Sequence, residues 1–116
     1  MSDFMFLFRS TVTREVFRSF SPEEMQQTLQ KWMEWRASLE KNGHVKHLGE
    51  RLDGTGKVVR GKTKAVIDGP YVEVKDFIQG YMVIRAENVE HAVELAKGCP
   101  ILEADGSVEV RPFLSM

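Results

Sequence analysis

The chain has 116 residues, 42% of them hydrophobic and 28% charged, a balance typical of one soluble globular domain over residues 1–116. With 16 basic against 17 acidic residues, the near-neutral charge argues against a broad surface for nucleic acid. A single cysteine excludes an intrachain disulfide, and the acidic N-terminus with five apolar residues behind it is neither a signal peptide nor a membrane span. We therefore expect a cytoplasmic protein that binds no membrane.

The N-terminal part of the chain predicts a strand followed by a long helix. Residues 4–8 are aromatic-rich without helical spacing, which predicts the strand. Ser21 and Glu24 form a capping box that begins the helix, and Asn42-Gly43 ends it. The apolar residues of this helix recur three or four positions apart and predict one buried stripe: Met25, Leu29, Trp32, Trp35 and Leu39.

The rest of the chain predicts further strands around a second helix. Residues 45–52 predict a strand, and residues 57–67 predict one long strand or two short ones. A strand over residues 79–86 follows, then a helix capped by Asn88, then a last strand over residues 107–113. The order is β-α-β-β-α-β, allowing for a split middle strand. It predicts an α+β, ferredoxin-like fold: an antiparallel sheet with two helices on one face.

The first strand is apolar on both sides, which bears on assembly. Phe4, Phe6 and Phe8 point to one face of the sheet, whereas Met5 and Leu7 point to the other. Two helices cover only one face, and four strands present a second face of roughly 300 Å². An apolar patch of that order usually marks an interaction surface. We therefore predict a homodimer through the open sheet face, since C2 dimers are the commonest assembly.

The segment around Asp68 is the main candidate site. The carboxylate of an Asx turn usually accepts from the amide two residues on, but here that residue is Pro70, which has no N–H. The carboxylate must reach further along the loop, pair with a cation or stay open to a ligand. If the loop is extended, Tyr71, Glu73 and Lys75 share one face and suit a polar ligand or proton transfer. The alternative is a solvated loop, whose Glu–Lys pair contributes about a few tenths of a kcal/mol.

Other polar and aromatic residues give weaker signals. His44 and His47 point to opposite faces of a strand and no further ligands complete a set, so we expect no metal and no cofactor. Trp32 and Trp35 line an aromatic pocket or form core, and a helix stripe favours core. Cys99 lies beyond the end of a helix, away from the positive N-terminus that activates a thiol, which favours a buried structural role.

These residues resemble the YCII-related proteins, specifically the branch named for its DGPF motif. The match includes Asp68-Gly69-Pro70-Tyr71, Glu73, Lys75-Asp76, Gly80-Tyr81 and Val108-Glu109-Val110-Arg111-Pro112, with Tyr71 in place of Phe. The resemblance implies a ferredoxin-like fold of the dimeric α/β-barrel kind, with a cleft beside the sheet for a small ligand.

The resemblance also bears on activity. YciI-like members of the family were proposed as enzymes because a helix histidine pairs with an aspartate. In this chain the histidine position falls near Trp32 and the aspartate position at Cys99, so the resemblance implies that the dyad is absent. Asp68 is then the remaining candidate acid or base. Many DGPF-type proteins look associated with sigma-factor systems, which implies an accessory role.

We therefore predict a small homodimeric domain that binds a small polar or aromatic molecule near the Asp-Gly-Pro-Tyr loop. One alternative is a dimeric-barrel enzyme with Asp68 as general base and Lys75 or Arg111 stabilising negative charge. Another is an interaction module for a transcription system of the sigma-factor type. The predicted ligand-binding residues are Asp68, Tyr71, Glu73, Lys75, Tyr81 and Arg111.

Overall fold

The computed structural model describes residues 1–10, 19–69, 77–104 and 106–115, which fold into α-helices and antiparallel strands. Neither α-helix within those ranges combines the length and the apolar composition needed to cross a bilayer. The elements in chain order are β1 (Ser2–Ser10), α1 (Pro22–Lys41), β2 (Val45–His47), β3 (Gly56–Arg60), β4 (Ala65–Gly69), β5 (Phe77–Ala86), α2 (Val89–Ala96), a 3₁₀ helix (Pro100–Ala104) and β6 (Ser107–Pro112).

The main sheet has four antiparallel strands in the order β2-β5-β1-β6. This is the strand order of a ferredoxin-like fold, and the predicted α+β class with two helices is confirmed. The strands β3 and β4 form a separate two-stranded hairpin between β2 and β5. Of the two alternatives for residues 57–67, two short strands is therefore correct. The turn between them contains Gly61 and Lys64, both with positive φ.

Local signals in the sequence set the ends of both helices. The Ser21 side chain accepts from the Glu24 N–H at 3.1 Å, and the Glu24 carboxylate accepts from the Ser21 N–H at 3.4 Å. Gly43, at φ +75°, follows the end of α1. Asn88 caps α2 by accepting from the His91 N–H at 2.8 Å. The predicted caps are thus confirmed, and each satisfies a backbone group that the helix end leaves unpaired.

The core lies between the helices and the face of the sheet that carries Phe4, Phe6 and Phe8. Trp35 of α1 stacks on Phe6 with ring centroids 6.2 Å apart, and its indole N–H donates to the Leu95 carbonyl at 3.1 Å. On α2 the buried residues are alanines, Ala92 and Ala96, whose small side chains let the helix approach the sheet closely.

The predicted buried stripe of α1 is correct only in its C-terminal half. Trp35 and Leu39 are buried, whereas Leu29 is 49% exposed and Met25 and Trp32 are partly exposed. All five residues share one helix face, but only the C-terminal two reach the closed core. The N-terminal half of the face instead borders an open cavity.

The second strand is shorter than predicted, because β2 ends at His47 and does not continue to residue 52. The break follows from Gly49, whose φ of +73° is incompatible with an extended strand. Beyond the break, the chain still lies beside β5. The Tyr81 N–H donates to the Glu50 carbonyl at 3.2 Å, and the Leu52 N–H donates to the Gln79 carbonyl at 2.8 Å.

The face of the main sheet opposite the helices has an apolar centre bordered by two charged groups. The register pairs Met5 with Val83 and Leu7 with Tyr81, and these four residues form the centre. At one end, Asp3 forms ion pairs with Lys46 and Arg85. On the neighbouring strand β6, Glu109 lies opposite Leu7 and forms ion pairs with Arg9 and Arg111. We call this surface the open face; it has the composition predicted from the alternation in β1.

Candidate functional site

A cavity of about 450 Å³ lies on the helix side of the main sheet. Its walls come from residues 25–36 of α1, the neighbouring ends of β1 and β5, residues 48–51 and the 3₁₀ helix. The apolar side chains of these elements cannot all reach the closed core, so they surround a space open to solvent. The main apolar lining residues are Phe8, Met25, Leu29, Trp32, Met82 and Ile101.

The two tryptophans of α1 have different roles. Trp32 packs edge-to-face on Phe8 with centroids 5.1 Å apart, and on Trp35 with centroids 5.7 Å apart. The Trp35 indole N–H has a backbone acceptor, whereas no hydrogen bond from Trp32 is found among the described residues. Trp35 therefore belongs to the core, and Trp32, held at right angles by two buried rings, forms part of the cavity wall. Of the two alternatives for this pair, core is correct for Trp35 and pocket lining for Trp32.

A small number of polar residues interrupt the apolar lining. They come from different elements and include two guanidinium groups and one carboxylate. Cavities that are mainly apolar with a few convergent polar groups are typical of small-molecule sites. The polar lining residues are Ser10, Thr28, Arg36, Glu50, Arg51 and Gln79.

Arg36 is notable among these polar residues. It follows Trp32 by one helical turn and is half-buried, in phase with the apolar stripe. Across the described part of the chain it forms no hydrogen bond, ion pair or ring contact, although Glu40 lies one turn further along the helix. Arg51, in contrast to Arg36, does have an interaction partner. The third charged lining residue, Glu50, is exposed. The cavity therefore contains a cationic side chain without a protein partner among the described residues.

The residues predicted as a site fall on different parts of the fold. Asp68 lies on β4, opposite Lys57 of β3, and the two side chains form an ion pair. Of the three outcomes left open for its carboxylate, pairing with a cation is the observed one, and the side chain is 86% exposed. Asp68 does not line the cavity. Tyr71, Glu73 and Lys75 lie outside the described residues.

The other two predicted residues, Tyr81 and Arg111, lie on the main sheet. Tyr81 belongs to the apolar centre of the open face, and its position on β5 also contributes to the cavity wall. Arg111 donates to the Glu109 carboxylate at 3.0 Å. Hydrogen bonds from Arg111 and Arg9 hold the pKa of Glu109 below its usual value. The ion-pair partner of Arg111 in the described structure is therefore Glu109, on the same strand.

The remaining candidates for chemistry are structural. Cys99 is only 2% exposed, and burial raises the pKa of its thiol to about 12, so the thiol is protonated at neutral pH. The ring of His44 contacts that of His91, with centroids 5.0 Å apart. The Nδ1 atom of His91 accepts from the Glu87 N–H at 3.1 Å. In the described ranges, no three His, Cys, Asp or Glu side chains come together as metal ligands.

Sequence reasoning expected a cleft beside the sheet but did not place it against α1 and missed Arg36, although one signal was present. Counting along α1, Met25, Leu29, Trp32 and Arg36 are separated by four, three and four residues, so the arginine occupies an apolar-face position. A charged residue at such a position is costly unless it has a partner or a ligand, or remains partly solvated. That break in the pattern is the feature that points to the site.

The family model described as the YCII-related domain matches residues 5–116, nearly the whole chain. A search of curated proteins finds no significant match. The chain therefore belongs to the YCII-related domain family.

Proposed function

We propose that this protein is a small-molecule-binding domain whose ligand places a flat, apolar body in the cavity beside Trp32. The observation that carries the proposal is the cavity itself, which has a volume of about 450 Å³ and a mainly apolar lining. Small-molecule sites usually have volumes of about 300–1,000 Å³ with a few polar groups that fix the ligand's orientation. A flat ligand fits an aromatic wall because stacked or edge-to-face rings gain about 0.5–1.5 kcal/mol beyond burial.

The Asp68 loop is a second proposed contributor to ligand binding. Residues 70–76 connect Gly69 to Phe77, and β5 then supplies Gln79, which lines the cavity. Tyr71, Glu73 and Lys75 are proposed contacts for polar groups of the ligand. Because Asp68 is paired with Lys57 on the exposed hairpin, the cavity is the better-supported place for the apolar body.

Ligand binding predicts a rise in melting temperature. A ligand at one hundred times its Kd stabilises the native state by about 2.7 kcal/mol, which corresponds to a shift on the order of 10 °C for a domain of this size. We expect one class of flat metabolites to give such a shift in a thermal-denaturation screen. Trp32→Leu keeps an apolar wall but removes the ring, so it should reduce the shift strongly.

Two controls locate the binding site. Met33→Ala changes the neighbouring residue on the exposed side of α1, where the side chain is 64% exposed, and should leave the shift intact. Asp68→Asn tests the loop. An unchanged melting-temperature shift assigns binding to the cavity alone. A lost shift in a variant that is still folded makes the loop part of the site. If Trp32→Leu and Met33→Ala respond alike to every stabilising compound, the cavity is not the site.

The proposal includes a homodimer that assembles through the open face. An apolar centre of Met5, Leu7, Tyr81 and Val83 bordered by ion pairs matches the apolar core and polar rim of protein interfaces. The helices lie on the opposite face, and Met5, Leu7 and Tyr81 remain partly exposed, whereas Val83 is only 8% exposed within the single chain. Two copies related by C2 symmetry would cover the centre with the same surface of each.

Leu7→Arg is expected to weaken the proposed dimer by about 100-fold or more, because symmetry places two unpaired charges in one apolar interface. Sedimentation velocity at micromolar protomer concentration measures the change from dimer to folded monomer. Met33→Arg adds the same charge to the exposed face of α1 and should remain dimeric. A wild-type chain that sediments as a monomer at this concentration contradicts the dimer.

A further inference from the structure

We infer that the ligand of the cavity is an anion, specifically a carboxylate on an apolar body, and that Arg36 binds it. The inference rests on the proposed function and adds the ligand's charge and the residue that recognises it. It starts from a half-buried arginine that lines the cavity and whose guanidinium has no partner among the described residues.

Burial of a cation without a partner costs free energy, and proteins usually avoid it by pairing the charge. Arg36 has a carboxylate within its reach in sequence, since Glu40 is four residues further along α1, a spacing at which ion pairs form readily. No such pair is found in the described structure. The guanidinium therefore remains available to a group that enters the cavity.

The neighbouring groups favour an anion over a cation. The lining contains two arginines, Arg36 and Arg51, and one carboxylate, Glu50, and of the two arginines Arg51 is already engaged in another interaction. Glu50 and Arg51 are both exposed, whereas Arg36 is half-buried beside the aromatic wall. A charge in a less solvated position interacts more strongly with its partner. The cavity thus combines a flat apolar surface with positive charge on its less exposed side.

A carboxylate suits this arrangement better than a phosphate. One guanidinium presents two parallel N–H donors, which match the two oxygens of a carboxylate. A phosphate dianion needs more donors, and most of the surrounding lining is apolar. Trp32 lies one helical turn from Arg36, so an aromatic acid can place its ring on the wall and its carboxylate on the guanidinium.

The test compares 2-naphthoic acid with the neutral, similarly shaped 2-naphthamide, using isothermal calorimetry on the full chain. We expect wild type to bind the acid about 10- to 100-fold more tightly than the amide, the range given by a charged hydrogen bond. Arg36→Gln should reduce acid affinity to the level of the amide and leave amide affinity unchanged. Arg36→Lys keeps the charge without the planar donor pair and should retain part of the preference.

The matched control is Arg60→Gln, which removes the same charge from the exposed hairpin and should preserve the preference for the acid. Circular dichroism and melting curves check that each variant is folded. Equal affinities of wild type for the two probes, or equal losses of both in Arg36→Gln, overturn the carboxylate inference while the proposed function stands. If neither probe binds wild type, the inference and the proposed flat-ligand site both fail.

Discussion

Replacing Gly49 with alanine is expected to lower the free energy of unfolding by more than about 3 kcal/mol. A Cβ atom at this position would lie 1.7 Å from the Tyr81 carbonyl oxygen, far inside contact distance. Residues 48–52 would have to move away from β5, which breaks the hydrogen bonds of Tyr81 to Glu50 and of Leu52 to Gln79. Each of these bonds contributes about 1 kcal/mol, and the left-handed φ adds about 1–2 kcal/mol for a residue with a side chain.

Gly43→Ala is a matched control that measures the cost of the left-handed φ alone. Its φ of +75° is close to the +73° of Gly49, but nothing lies within 4 Å of the Cβ that would be added. Only the conformational strain remains, so we expect a loss of about 1–2 kcal/mol. Chemical denaturation at one fixed protein concentration measures both variants, because the proposed dimer would make stability depend on concentration. Equal losses in the two variants would show that the contact with Tyr81 contributes nothing.

Gly49→Ala also tests the link between this contact and the ligand. Leu48, Gly49 and Arg51 form one side of the cavity, and the close approach to β5 holds them there. A variant that stays folded should therefore lose affinity for a cavity ligand, whereas folded Gly43→Ala should keep it. This readout separates a contact that shapes the site from one that only stabilises the fold.

The parts of the fold that depend on near neighbours in sequence were predictable. The capping box of Ser21 and Glu24, the Asn88 cap and the alternation of β1 each involve residues within a few positions of one another. The break in β2 was missed because Gly49 can adopt an extended or a left-handed conformation, and only its packing against Tyr81 selects the latter.

The candidate site depended on long-range placement and was largely beyond prediction. Trp32 and Trp35 belong to the same apolar face, yet their different burial is set by where the sheet and the 3₁₀ helix lie relative to α1. For Asp68, the absence of an N–H on Pro70 limited the outcomes, but the partner Lys57 follows from a hairpin register that composition does not fix. Arg36 was predictable in part, as a charge in phase with an apolar face.

Phe6→Ala is expected to destabilise the protein by about 3–5 kcal/mol, the usual cost of removing a fully buried phenylalanine. Phe6 is 0% exposed at the centre of β1, between its register partners Met82 and Val110. Its ring stacks on Trp35, and strands on both sides hold the backbone in place. The surroundings therefore cannot collapse fully into the space, and a cavity adds to the lost burial.

The dependence of the lost stability on the size of the side chain at position 6 identifies its cause. Phe6→Leu retains much of the buried volume and should cost about 1–2 kcal/mol, while Met33→Ala, at a residue 64% exposed, should change stability by less than about 0.5 kcal/mol. Urea denaturation with an unchanged m value supports a cavity over a change in the unfolded state. A loss below about 1.5 kcal/mol for Phe6→Ala would mean that Trp35 and Met82 can fill the space. In that case Trp32, which packs on Trp35, should shift and the affinity of a cavity ligand should fall.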